Sequence, residues 1–324
     1  MRWVRALIPV VAAVLCLASQ ALTYQPPLPV EKDHFVYFVD NSGSVPSIDS
    51  SLNAARARLI AMLHDSLNYK PDIYVVGDQN YFTQLIGGNF PDWGAAAALP
   101  SLHRIVIKSP EKFNVRRPLA ELLAHEYSHL AVAKRVGLYS TPRWFDEGTA
   151  MMVSMEWSWS DNVAMGEAAV LGRFIPLQDI DFVNRFGETR AHVAYAESYL
   201  AVSYFVKQYG LASLNLFLDQ IERGASVDSA LMAATGSDRR GFEQEFRAYL
   251  DNRFNFASLF MDTIYFWMAL AFVLVIGAFL AYRRRRRYYD QWKEEDRFES
   301  KDFEYGDPRH PEQTDDEDDE PWRS

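Results

Sequence analysis

His125 and His129 stand four residues apart in His125-Glu126-Tyr127-Ser128-His129, an HExxH pattern. At that spacing two imidazoles lie one above the other on a single helical face. Their neutral nitrogens can hold a zinc ion, while the intervening Glu126 reaches a water on the metal and acts as general base. Glu126 itself points roughly 100° round the helix from His125, which unsuits it as a ligand. A catalytic zinc takes three protein ligands and leaves a place for water. The leading third ligand is Glu147, in Trp144-Phe145-Asp146-Glu147-Gly148, with Asp146 as its rival. A shift of one residue turns a side chain by about 100°, so only one of the two can face the metal. Leu122, Leu123, Leu130 and Val132 make the surrounding helix apolar. Polar groups buried in such a helix need partners.

The pairing of Leu122–Val132 with Pro142–Ala150 resembles the gluzincin zinc metallopeptidases, in particular their minimal peptidase MA-like domains. Trp144, Glu147, Gly148 and Ala150 match the W-x-x-E-G-x-A setting of the glutamate ligand in that group, and seventeen residues separate His129 from Glu147. Ala194–Gly210 adds a weaker likeness. The resemblance implies an α+β, zincin-like domain with a small N-terminal mixed sheet, the HExxH helix and a C-terminal helical subdomain. It implies Zn2+ held by His125, His129 and Glu147, with Glu126 as catalytic base and Asp146 as a supporting group or cap. Met151 is apolar where the group places an acidic partner, which leaves the groups that orient His125 and His129 unassigned. An oxyanion donor is expected on a later helix: Tyr195 first, then Tyr199, then His192. An edge strand of the sheet is expected to bind the substrate backbone, and Arg104–Lys108 is the candidate, with an ordinary inner strand as the equal alternative.

These residues need elements to position them. His34–Val39, Asp72–Val76 and His103–Lys108 read as strands, and Ile48–Leu67 as an amphipathic helix. The metal helix is punctuated by Pro118 and Glu121 at its start and by Lys134, Arg135 and Gly137 at its end. Pro142–Met155 forms a second helix that delivers Glu147. Residues 196–221 and 239–255 are predicted helices, broken by Gly210 and by Gly224-Ala225-Ser226, with Ser237 as an N-cap.

Residues 1–21 read as a secretory signal, with Arg2 and Arg5 before an apolar run and small residues. The peptidase-like domain is expected over 22–255. Thr263–Tyr282 is a charge-free apolar segment of bilayer length flanked by aromatic residues. Arg283–Arg287 follow at once, which places the C-terminal side in the cytoplasm by the positive-inside rule. Residues 283–324 then make a basic stop and a disordered acidic tail with room for a cytoplasmic partner.

The formal charge is −10, but residues 288–324 carry 15 acidic and five basic residues, so residues 1–287 balance. The folded part therefore lacks the basic footprint of nucleic-acid binding. Cys16 is the single cysteine and lies in the apolar leader, which excludes thiol catalysis and disulfides from the rest. Together these features predict a membrane-anchored zinc peptidase acting on peptide or protein substrates outside the cytoplasm. The rival is a catalytically silent zincin-like binding module that scaffolds or signals through its tail.

Overall fold

A computed structural model describes residues 27–64, 66–87, 90, 94–254 and 264–298. The leader expected at 1–21 and the acidic block Asp315–Glu320 lie outside these residues. The chain divides into two units, Met1–Ser258 and Leu259–Ser324.

The first unit is α+β. Its strands are β1 (Val30–Glu31), β2 (Val36–Val39), β3 (Asp72–Val76), β4 (Ala96–Leu99) and β5 (Arg104–Lys108), in the order β1-β2-β3-β5-β4. The inner strands β2, β3 and β5 are parallel, and the two outer pairings are antiparallel. Parallel neighbours require crossovers. Helix α1 (Val45–Leu63) links β2 to β3, while α2 (Gln79–Ile86) and β4 lie between β3 and β5.

The expected substrate edge is corrected here. Arg104–Lys108 pairs with β3 on one side and β4 on the other, so it has no free edge. Its unbroken Ile105-Val106-Ile107 run is that of a strand covered on both faces. On this side of the sheet the free edge belongs to β4, and β1 forms the opposite edge. Lys108 N donates to Ala95 O at 2.8 Å. Antiparallel alternation then turns the backbone groups of Ala96 and Ala98 outward.

Helix α3 (Leu119–Val136) carries HExxH and begins directly after Pro118, with Lys134 and Arg135 in its last turn before Gly137. Helix α4 (Arg143–Ser154) begins after Pro142 and ends where Met155 turns left-handed at φ 62°. The remaining helices are α5 (Trp159–Leu171), α6 (Glu188–Glu222), α7 (Val227–Thr235) and α8 (Arg239–Arg253). Gly210 breaks α6 with φ 83° and ψ 167°. Neither α5 nor α7 was expected from the sequence. The cap of α8 is Asp238, which accepts from Gly241 N at 2.8 Å, and the expected cap Ser237 bonds Glu245 instead. One continuous core joins the sheet, α1, α3, α4 and α6. Arg58 Nε bonds Val153 O at 2.7 Å, and Asn215 Nδ2 bonds Met62 O at 2.9 Å, which ties α1 to both α4 and α6.

The second unit contains α9 (Ile264–Phe298). Within it Trp267–Asp290 is long and apolar enough to cross a membrane. The helix runs through Arg283–Arg287 and ends at Phe298, so the first residues of the tail expected to be disordered from Tyr288 are helical.

Candidate metal centre

The apolar rows of α3 pack inward and leave His125 and His129 on the face turned towards α4. Helix α4 brings Glu147 to meet them. Glu147 Oε2 lies 3.3 Å from His125 Nε2 and 3.8 Å from His129 Nε2. One ligand atom from each of the three residues falls within 4.8 Å of the others. His125 is 7% exposed and Glu147 1%.

The outer nitrogens of both rings face carboxylates. His125 Nδ1 is 2.9 Å from Glu156 Oε1, and Glu156 Oε2 is 3.1 Å from Arg117 Nη1. His129 Nδ1 is 3.0 Å from Asp146 Oδ2, at ion-pair distance but off the hydrogen-bonding direction. Asp146 thus turns to the back of an imidazole while its neighbour Glu147 turns to the front. Glu156 was missed in the sequence. It lies beyond the end of α4, and only the left-handed turn at Met155 swings it back to α3.

These contacts test whether the residues fit a metal ion. A carboxylate at Nδ1 draws the ring proton there and leaves the lone pair on Nε2. Glu147 Oε2 is buried, yet its contact with His125 is poorly directed and it has no hydrogen-bond partner. Three lone-pair atoms therefore converge with nothing of opposite charge between them, and a divalent cation satisfies all three. The residues fit. Without a cation, protons take its place. Burial disfavours charge on His125, but Glu156 and Glu147 outweigh it and lift its pKa to about 10. Burial also works against ionised Glu147, yet the close positive charges of His125, His129 and Arg143 hold its pKa down at about 2.

Glu126 sits beside this cluster and is 8% exposed. Burial pushes its carboxyl above the usual range, against the pull of the two histidines, and the outward amide of Ala98 donates to it. The free edge of β4 and the expected base are thus in direct contact.

Tyr195 on α6 reaches the same cleft, whose volume is about 1090 Å3. Arg143 Nη2 makes a 2.5 Å ion pair with Glu147 Oε1, and the Arg143 guanidinium also donates to the Tyr195 hydroxyl. Burial, reinforced by the Glu147 charge, pushes the Tyr195 pKa up to about 12 and keeps it protonated at neutral pH. The two alternatives to Tyr195 are occupied elsewhere. Tyr199 stacks on Trp157 at 4.7 Å, and His192 Nε2 bonds Asp161 at 2.9 Å. Neither lines the cleft.

No curated protein matches the sequence significantly. The family model of the Peptidase MA superfamily matches residues 57–252, from within α1 to the last turn of α8, and so takes in α3, α4 and α6 together. That superfamily is typically metal-dependent, in keeping with a cluster of two histidines and a glutamate. With more than half of its length matched, the chain belongs to the Peptidase MA superfamily.

Proposed function

We propose that this protein is a zinc-dependent peptidase, anchored by α9, that hydrolyses peptide bonds outside the cytoplasm. The main support is the convergence of His125, His129 and Glu147 beside Glu126 in one cleft. In this reading those three residues hold zinc. When bound, zinc supplies Lewis acidity towards the attacking water and the scissile carbonyl.

The chain's own residues do the rest. The peptide lies along the free edge of β4, meeting the outward backbone groups of Ala96 and the outward carbonyl of Ala98. Glu126 takes the proton from the attacking water and delivers it to the leaving amine. Its raised pKa suits both halves of that transfer. Arg143 donates to the Tyr195 oxygen, which leaves the Tyr195 O–H free to donate to the oxygen on which negative charge develops. Glu156 and Asp146 fix the ring orientations of His125 and His129.

The anchor reading rests on α9, whose side chains from Trp267 to Asp290 are exposed although most of the first half is apolar. Such a surface suits lipid rather than water. By the positive-inside rule Arg283–Arg287 supports a cytoplasmic C-terminal end, with the peptidase unit on the other side.

The test is cleavage of a mixed peptide library by the full chain in detergent, with Glu126→Gln as control. Cuts that disappear in the control and on chelation support the reading. A chain that holds zinc at the site but cuts nothing overturns it and leaves a binding module.

A further inference from the structure

Lys108 ends β5 in surroundings that suit an apolar side chain. Strand alternation sets it on the same face as Val106, towards α2. Its Nζ lies 4.9 Å from the ring centre of Phe82 and 5.8 Å from that of Phe113. The residue is 8% exposed, and among the described residues no carboxylate lies within ion-pair distance of it. Cation–π contacts offset part of the cost of drawing an ammonium out of bulk water. Without an anion the remainder of that cost stands. A methionine would fill the same space between the rings at no such penalty.

The position of Lys108 relative to the metal centre gives the charge a use. Lys108 lines the same cleft as His125, Glu126 and Glu147, with Ile86 and Phe90 close by. It stands opposite Ala95, whose carbonyl accepts its N–H. The amide that meets Glu126 belongs to Ala98, three residues further along β4. Three strand residues span about 10 Å. A peptide laid on the free edge turns alternate side chains to the two faces of the sheet, and one of those faces carries Lys108.

We propose that Lys108 is a carboxylate-binding subsite of this cleft, which receives an anionic group of the peptide about three residues from the bond hydrolysed. The inference rests on the peptidase reading above. The carboxylate is either an Asp or Glu side chain or the free C-terminus of the substrate. In either case the anion meets a cation held within the cleft beside two aromatic rings, so selectivity exceeds that of a surface contact.

The test uses the full chain in detergent and a peptide series scanned with Glu, Gln or Lys at each of four positions on either side of the cut. Every peptide is made with a free and with an amidated C-terminus. One position two to four residues from the cut is expected to favour Glu over Gln by about tenfold or more in kcat/KM, mainly through KM. If the terminal carboxylate is the ligand, free ends are favoured over amides by a similar factor instead. Lys108→Met should remove the preference and leave neutral peptides within about threefold, which also reports that the variant folds. Lys108→Glu should shift the preference to Lys at the same position. Neutral peptides cut by the wild type but not by Glu126→Gln, with no carboxylate preference anywhere, overturn this inference and leave the peptidase reading standing. A preference that survives Lys108→Met overturns it as well. No cutting of any peptide overturns both.

Discussion

Gly148 lies against the backbone of Ser198: a Cβ built on Gly148 would stand 2.1 Å from the Ser198 carbonyl oxygen. No side chain fits there, so α4 and α6 cross at backbone contact, one residue after Glu147 on α4 and three after Tyr195 on α6. Gly148→Ala should force the helices apart, because the obstacle is backbone and cannot rotate away. The expected result is a loss of about 2–4 kcal/mol in stability and a fall in any activity beyond what unfolding explains. Thermal unfolding and kcat on the folded fraction check it. Wild-type Tm and kcat together would sink the idea that this crossing holds the site.

The carboxylates behind the histidines give a second prediction. Glu156→Gln and Asp146→Asn keep size and lose charge. Each should weaken metal affinity by about 10–100-fold while circular dichroism stays unchanged. Glu156→Gln should have the larger effect, because Glu156 is nearly buried and directly bonded to His125. Metal retention should also fall as pH drops, since His125, lifted to about 10 without metal, takes up a proton in competition with it. Chelator competition across pH measures both. Affinity that is flat with pH and indifferent to both variants would contradict this account.

How much of this was legible in the sequence depended on how local the signal was. His125, Glu126 and His129 follow from one helical turn, and Glu147 follows from helix geometry plus the family pattern. Asp146 emerges as a supporting carboxylate because its neighbour occupies the front of the site. Glu156 stayed hidden because it comes to His125 through a left-handed turn after the helix has ended, and no periodicity describes that. The substrate edge was misplaced because Ala96-Ala97-Ala98-Leu99 has little β propensity, whereas Arg104–Lys108 has the apolar run of an inner strand. Helix α5 escaped because Trp159, Val163, Val170 and Leu171 face outward while Asp161 faces in, which inverts the usual pattern.

Tyr195 shares Arg143 with Glu147, so its role can be separated from that of the metal ligand. Tyr195→Phe removes the O–H and leaves the ring. The expected result is a fall in kcat of about 10–1000-fold with KM little changed, because the donor acts on charge that develops during reaction. Metal content should be unaffected. A rise in KM with unchanged kcat would instead make Tyr195 a contact to bound substrate.

Glu197 offers a prediction independent of catalysis. It is fully buried on α6, and both carboxyl oxygens accept from Ile175 N, at 2.8 and 3.1 Å. Burial dominates and lifts its pKa to about 8 from 4.5; Glu243 adds to this, and Ile175 N–H and Arg247 oppose it. The folded carboxyl therefore holds its proton where the unfolded one has released it. Below about pH 4.5 both states are protonated and the group has no pH-dependent effect. As pH rises through the window from about 4.5 to 8, the unfolded state binds fewer protons and stability falls. The full loss is no more than about 5 kcal/mol, from the shift at 1.36 kcal/mol per pKa unit. Glu197→Gln keeps an oxygen for Ile175 N–H and cannot titrate. Denaturant unfolding of the two proteins from pH 4.5 to 8.5 should give a difference that grows with pH in favour of the variant. Parallel curves would mean that Glu197 is ionised in the fold, with its charge carried by Arg247.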